Sequence, residues 1–210
     1  GVEVSPDSSI AHANLADAFM SLPNPRIAAD HYRRALQLNP RDAIAAHHFG
    51  DALSSMGRHW EAEALYLHSL RLDSSRPRVF ISLAQLWIAA GQAHEAVNLL
   101  RDRVQRAPFD LAAAGFLAEL LATHPDREVR DGYEASDLAA RVSLAYKHND
   151  AGVLLTWASA QAEVGQWEEA VATARQGQML ADKLRHENLS REFRHRLDLF
   201  ECEVPYHYGD

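Results

Sequence analysis

Phe49-Gly50-Asp51-Ala52-Leu53-Ser54-Ser55-Met56-Gly57-Arg58-His59-Trp60-Glu61-Ala62-Glu63-Ala64-Leu65-Tyr66 is the stretch that decides the reading of this chain. Its apolar residues recur at helical spacing on either side of a glycine. Phe49 and Leu53 make one stripe; Ala62, Tyr66 and Ser69 make a facing one. Gly57 stands between them, where a tight turn takes a positive φ and a side chain would obstruct. Small residues mark the places where two helices approach closely, so the stretch predicts an antiparallel helical hairpin.

Sliding the sequence by 34 residues brings like onto like in both directions from this hairpin. Ala28, Ala62 and Ala96 fall at equal steps, as do Leu15, Phe49, Leu83 and Leu117, with Ala16, Gly50, Ala84 and Ala118 one residue behind. Phe19, Leu53, Trp87 and Leu121 share a register, Tyr32 and Tyr66 share one with Leu100, and Gly57 and Gly91 lie one step apart. Pro6, Pro40 and Pro108 recur where a second helix must stop.

Small-large pairs such as Phe49-Gly50, followed by Leu53, Gly57, Ala62, Tyr66 and a terminal proline at this step, resemble the tetratricopeptide repeat (TPR). The resemblance covers nearly the whole chain. It implies an all-α protein, an α-solenoid in which hairpins stack into a right-handed superhelix. The repeats are expected at 9–42, 43–76, 77–110, 111–150 and 151–184. The fourth is irregular, because residues 124–132 lengthen the turn before Ala135, Ala139 and Val142 resume the pattern. The fifth returns to register with Trp157-Ala158, Gly165, Ala170 and Ala174. A capping helix is expected over 187–204, with Leu189, Phe193, Leu197 and Phe200 on one stripe and a charged outer face, ended by Pro205 and followed by a tail, 205–210. Val2, Val4 and Pro6 fit the last turn of an upstream repeat, so 1–8 reads as the end of a truncated unit. The last third resembles the C-terminal array of larger bacterial TPR proteins.

Composition narrows the function classes. A chain that is 47% hydrophobic and 24% charged is that of an ordinary folded protein rather than a disordered one. A net charge of −8, with no block of basic residues, disfavours nucleic acid and anionic membrane as partners. Cys202 is the single cysteine, so no internal disulfide can form. No apolar run spans a bilayer and the first residues lack a signal peptide's pattern, so the chain as it stands reads as soluble and cytoplasmic, with a parent protein that could be anchored in a membrane.

The resemblance also implies where a ligand would sit. In this family the first helix of each repeat lines the concave wall, at positions that here fall on Asp17 in the first repeat, Ile44, His47 and Asp51 in the second, and Arg78, Ile81, Gln85 and Ile88 in the third. Glu119 follows from the fourth repeat, and Leu155 and Glu163 from the fifth, with Ser54, Thr123 and Ser159 on the same face. Apolar Ile44, Ile81, Ile88 and Leu155 beside acidic Asp17, Asp51, Glu119 and Glu163, with Arg78 as the fixed positive charge, suit a basic-apolar protein or peptide segment. The clamp with which some members hold a chaperone's terminal carboxylate is absent: Ala13, Asp17, His48 and Ser82 stand at its places, and Arg78 alone matches.

Catalysis has no foothold in the pattern. There is no nucleophile elbow, Walker loop or dinucleotide glycine motif, and Cys202 lies near the chain end between two carboxylates, Glu201 and Glu203, a poor setting for a catalytic thiolate. His47 and Asp51 have a metal-ligand spacing but no second cluster to complete a site. Trp60, Trp87, Trp157 and Trp167 fall at repeat-framework or adjacent turn positions and read as core residues rather than a carbohydrate platform. The expectation is a non-catalytic protein-interaction scaffold without cofactor or metal, monomeric or weakly self-associating. Its rival is a recognition arm of a larger enzyme or membrane protein such as a glycosyltransferase.

Overall fold

Side-chain caps start most of the first helices. Asp42 accepts from Ile44 N and Ala45 N at 3.0 and 2.9 Å, Asp110 from Ala113 N at 3.1 Å and Asp150 from Val153 N at 3.0 Å. Each satisfies amide donors that the helix itself leaves open. Asn24 and Asp131 cap two second helices in the same way, while two others start from a tight turn instead. Gly57 (φ 74°) and Gly165 (φ 79°) take the left-handed conformation between helices, and neither following helix has a side-chain cap. Glutamates in their first turns, Glu61 and Glu168-Glu169, offset the positive end of the helix dipole.

The computed structural model describes residues 8–22 and 24–209, so the expected upstream repeat end lies outside the described residues but for Ser8, which caps the first helix. The described residues form eleven α-helices and no strand. They are α1 (Ser9–Ser21), α2 (Pro25–Leu38), α3 (Ala43–Ser55), α4 (His59–Leu72), α5 (Pro77–Ala89), α6 (Ala93–Arg106), α7 (Leu111–Thr123), α8 (Gly132–Ala145), α9 (Ala151–Glu163), α10 (Trp167–Lys183) and α11 (Glu187–Glu201).

The chain divides into two compact units, 1–92 and 93–210. In the first, α1 packs on α2, α2 on α3, α3 on α4 and α4 on α5. Ala16, Ala28, Tyr32, Phe49, Leu53, Ala62, Tyr66, Leu83 and Ala84 form its buried core. A Cβ at Gly50 would lie 2.5 Å from the Tyr66 ring, so glycine there lets α3 and α4 meet. Leu15 keeps the register of Phe49 but is 47% exposed, with no earlier helix among the described residues to cover it. Trp60 is exposed at the start of α4, beside the turn, so the core reading of that tryptophan does not hold.

In the second unit α7 packs on α6, α8 and α9, and α10 lies between α9 and α11. Phe193, Leu197 and Phe200 of α11 are buried against Leu154, Ala158 and Ala174. The lengthened turn is fixed rather than loose: Val129 is buried, Asp131 N donates to Leu121 O, and Arg130 donates to the carbonyls of His124 and Pro125 at 2.9 and 3.0 Å. The closing helix stops at Glu201, short of the expected 204. Glu203 turns to φ 57° and Val204 N bonds back to Leu199 O, two residues before Pro205 could act.

Candidate functional site

In the first unit α3 lies between α1 and α5, and the three first helices carry the expected wall residues. A framework tyrosine from the following helix orients the carboxylate of its own hairpin, and does so twice. Tyr32 donates its hydroxyl to Asp17, and Tyr66 donates to Asp51 at 2.8 Å, each across the same separation of 15 residues. Burial, reinforced by the carboxylate, raises both phenols well above their ordinary range, which keeps them protonated donors. The held carboxylates stay accessible, with 51% of the Asp17 and 36% of the Asp51 side chain exposed. His48 Nδ1 lies 3.1 Å from Asp17, linking α1 to α3.

Ile44 is exposed, Arg78 and Gln85 are exposed, and Ile81 and Ile88 are partly exposed. Asp51, Ser54, Tyr66, Ser82 and Gln85 line a cleft of about 310 Å³. His47 does not join this surface. It is 3% exposed, with Nε2 3.0 Å from Ser82 Oγ and 3.6 Å from Asp51, so it works as an internal strut and not as a ligand contact. Its Nδ1 is buried with no hydrogen-bond partner among the described residues. Burial lowers the pKa of His47 against the opposing pull of Asp51.

The second unit treats its expected wall residues differently. Leu155 is 7% exposed and belongs to the core with Phe193 and Phe200, so it is not an available anchor. Ser159 is buried and accepts from Arg196 of α11 at 2.7 Å. Glu163 is 15% exposed and takes two internal partners, Arg130 Nε and His207 Nε2, each at 2.8 Å. Glu119 accepts from the Tyr208 hydroxyl, and the Thr123 carbonyl accepts from Tyr208 N at 2.8 Å. The segment after α11 thus lies on this face. Repeat arithmetic missed it because residues 204–209 have no counterpart in any repeat; the one signal was an aromatic run, Tyr206-His207-Tyr208, in a charged terminus.

Among the described residues no group of three or more His, Cys, Asp or Glu side chains is arranged to hold a metal ion. Nor is any helix there long and apolar enough to cross a membrane.

No protein-family model matches the chain. The type IV pilus assembly protein PilF of Pseudomonas aeruginosa is 28% identical over 142 residues, which cover 67% of this chain and 56% of PilF, so the match spans little more than half of that relative. The solved structure of P. aeruginosa PilF is similar with a TM-score of 0.69 at 23% identity, covering 92% of this chain and 84% of that one. YrrB, described as a TPR protein with an unusual peptide-binding site, is similar with a TM-score of 0.61 at 19% identity, over 92% and 95% of the two chains. Yeast Tom70 reaches 0.70 at 15% identity, over 94% of this chain and 42% of its own. With helical hairpins repeating on a 34-residue step and these structures alongside it, the chain has the tetratricopeptide-repeat fold.

Proposed function

We propose that the chain is a non-catalytic protein-interaction scaffold, and that the first-helix wall of its first unit binds a basic-apolar peptide segment. The observation that carries this reading is the repeated tyrosine-to-aspartate hydrogen bond, which holds Asp17 and Asp51 in fixed, accessible positions with exposed Ile44 nearby in the sequence of α3. Carboxylates oriented before binding cost a ligand little side-chain entropy, and they select lysine or arginine more than they add raw affinity. Ile44, Ile81 and Ile88 supply the apolar anchors, and Arg78 disfavours a second cation beside it. The resemblance of the fold to YrrB, whose description names a peptide-binding site, supports the class of ligand.

The test is a display library of short peptides panned against the chain and against Asp17→Lys/Asp51→Lys. The parent is expected to enrich basic-apolar sequences and the variant to lose them. Equal recovery of basic and acidic peptides by the parent would sink the reading.

A further inference from the structure

The second unit carries a separate message. Residues 204–209 leave α11 through the left-handed Glu203 and run as a non-helical segment over the face formed by α7 and α9. A backbone bond ties them to α7, from Tyr208 N to the Thr123 carbonyl at the end of that helix, an acceptor that the helix terminus leaves open. Three side chains read the surface. The Tyr208 hydroxyl donates to Glu119, His207 Nε2 meets Glu163 at 2.8 Å, and the Tyr206 ring lies 4.1 Å from the Arg196 guanidinium, itself held by Ser159. Burial, with the bond to Glu119, raises the Tyr208 phenol above its ordinary range.

These contacts fall on positions where the tetratricopeptide resemblance implies a ligand, Glu119, Thr123 and Glu163, and Arg196 is held at a fourth, Ser159. They are polar and stacking contacts at a wet edge. Val204 and Tyr208 remain 44% and 45% exposed, whereas Phe193 and Phe200 of the neighbouring helix are 0% and 1% exposed. A segment attached this way is held by a few directed bonds and by the partial burial of Tyr206 against the core cluster, without a fully buried side chain of its own, so it can leave without unfolding the hairpins beneath it.

We infer that this face is a binding surface for an aromatic-basic-tyrosine segment, and that residues 204–209 occupy it in cis until a partner segment of the same chemistry displaces them. The two glutamates accept a cation or hydroxyl, and Arg196 presents a flat cation for an aromatic ring. The inference stands whether or not the first unit binds a basic-apolar ligand.

A labelled peptide with the sequence of residues 203–209 is the probe. A tethered occupant competes at an effective concentration of order 1 mM, so a peptide of about 0.1 mM intrinsic Kd should bind Tyr206→Ala/His207→Ala/Tyr208→Ala about tenfold more tightly than the parent. Adding Glu119→Lys to that variant should abolish binding. Equal affinity for parent and variant, or no binding by a variant that keeps its helical circular dichroism, would overturn the inference. Hydrogen exchange in the parent decides independently, even if the variant fails to fold: the Tyr208 amide should exchange at least about 100-fold faster than those of Leu121 and Phe193. Exchange as slow as theirs would make the segment part of the core and refute displacement.

Discussion

Gly177→Ala sets helix propensity against packing. In the middle of α10, alanine in place of glycine should stabilise by about 1 kcal/mol on propensity alone. A Cβ there would lie 2.2 Å from Phe193 Cζ, 2.5 Å from Cε1 and 3.1 Å from Leu154 Cβ. The tip of a phenylalanine ring can normally swing aside, but Phe193 and Leu154 are both fully buried, so the closing helix must shift as a body. Overlap this deep belongs in the upper part of the usual overpacking range, about 2–3 kcal/mol. The net expectation is a loss of about 1–2 kcal/mol, or about 2–8 °C in melting temperature for a chain of this size. Thermal melts by far-UV circular dichroism measure it. Phe193→Leu in the same chain should relieve the overlap, with a coupling of about 1 kcal/mol or more in the double-mutant cycle. A Gly177→Ala protein melting at or above the parent would refute the account of how α11 is seated.

Because burial lowers the pKa of His47, the unfolded chain takes up a proton below about pH 6.5 while the folded chain resists it. That group therefore leaves stability unchanged above about pH 6.5 and lowers it as the pH falls toward the depressed folded value, by at most about 1.4 kcal/mol per unit. Urea melts should show His47→Gln with a flatter pH dependence than the parent; parallel curves would contradict the assignment. Arg130→Ala removes the pin of the lengthened turn and one of the two partners of Glu163. A loss of about 2–3 kcal/mol is expected, at or below the lower end of the range for a fully orphaned buried charge because His207 remains. Limited proteolysis should then cut within 125–128, and an uncut turn would show that Val129 and Asp131 suffice to hold it.

The hairpins were legible in the sequence because their determinants are local. A stripe of period 3.6, a glycine where φ must be positive and an alanine where helices touch all lie within one 34-residue step, and Gly57, Ala62 and Ala96 take the roles that this pattern assigns. The tetratricopeptide resemblance implied wall positions at Asp17, Ile44 and Asp51 on the first helices, and the first unit leaves them accessible there. It could not separate His47 from an exposed wall position, because His47 packs against Ser82 of α5 and the Tyr66 ring of α4, two other helices. Leu155 and Glu163 went the same way. Leu155 holds within α9 the repeat position that Ile81 holds in α5, and Glu163 lies on the same face, but α11 and residues 204–209 fold back over that face. A repeat fixes what each helix offers to its immediate neighbours; whether an offered face stays open depends on non-repeating chain more than 40 residues away, whose docking follows from shape and directed hydrogen bonds that no local period encodes.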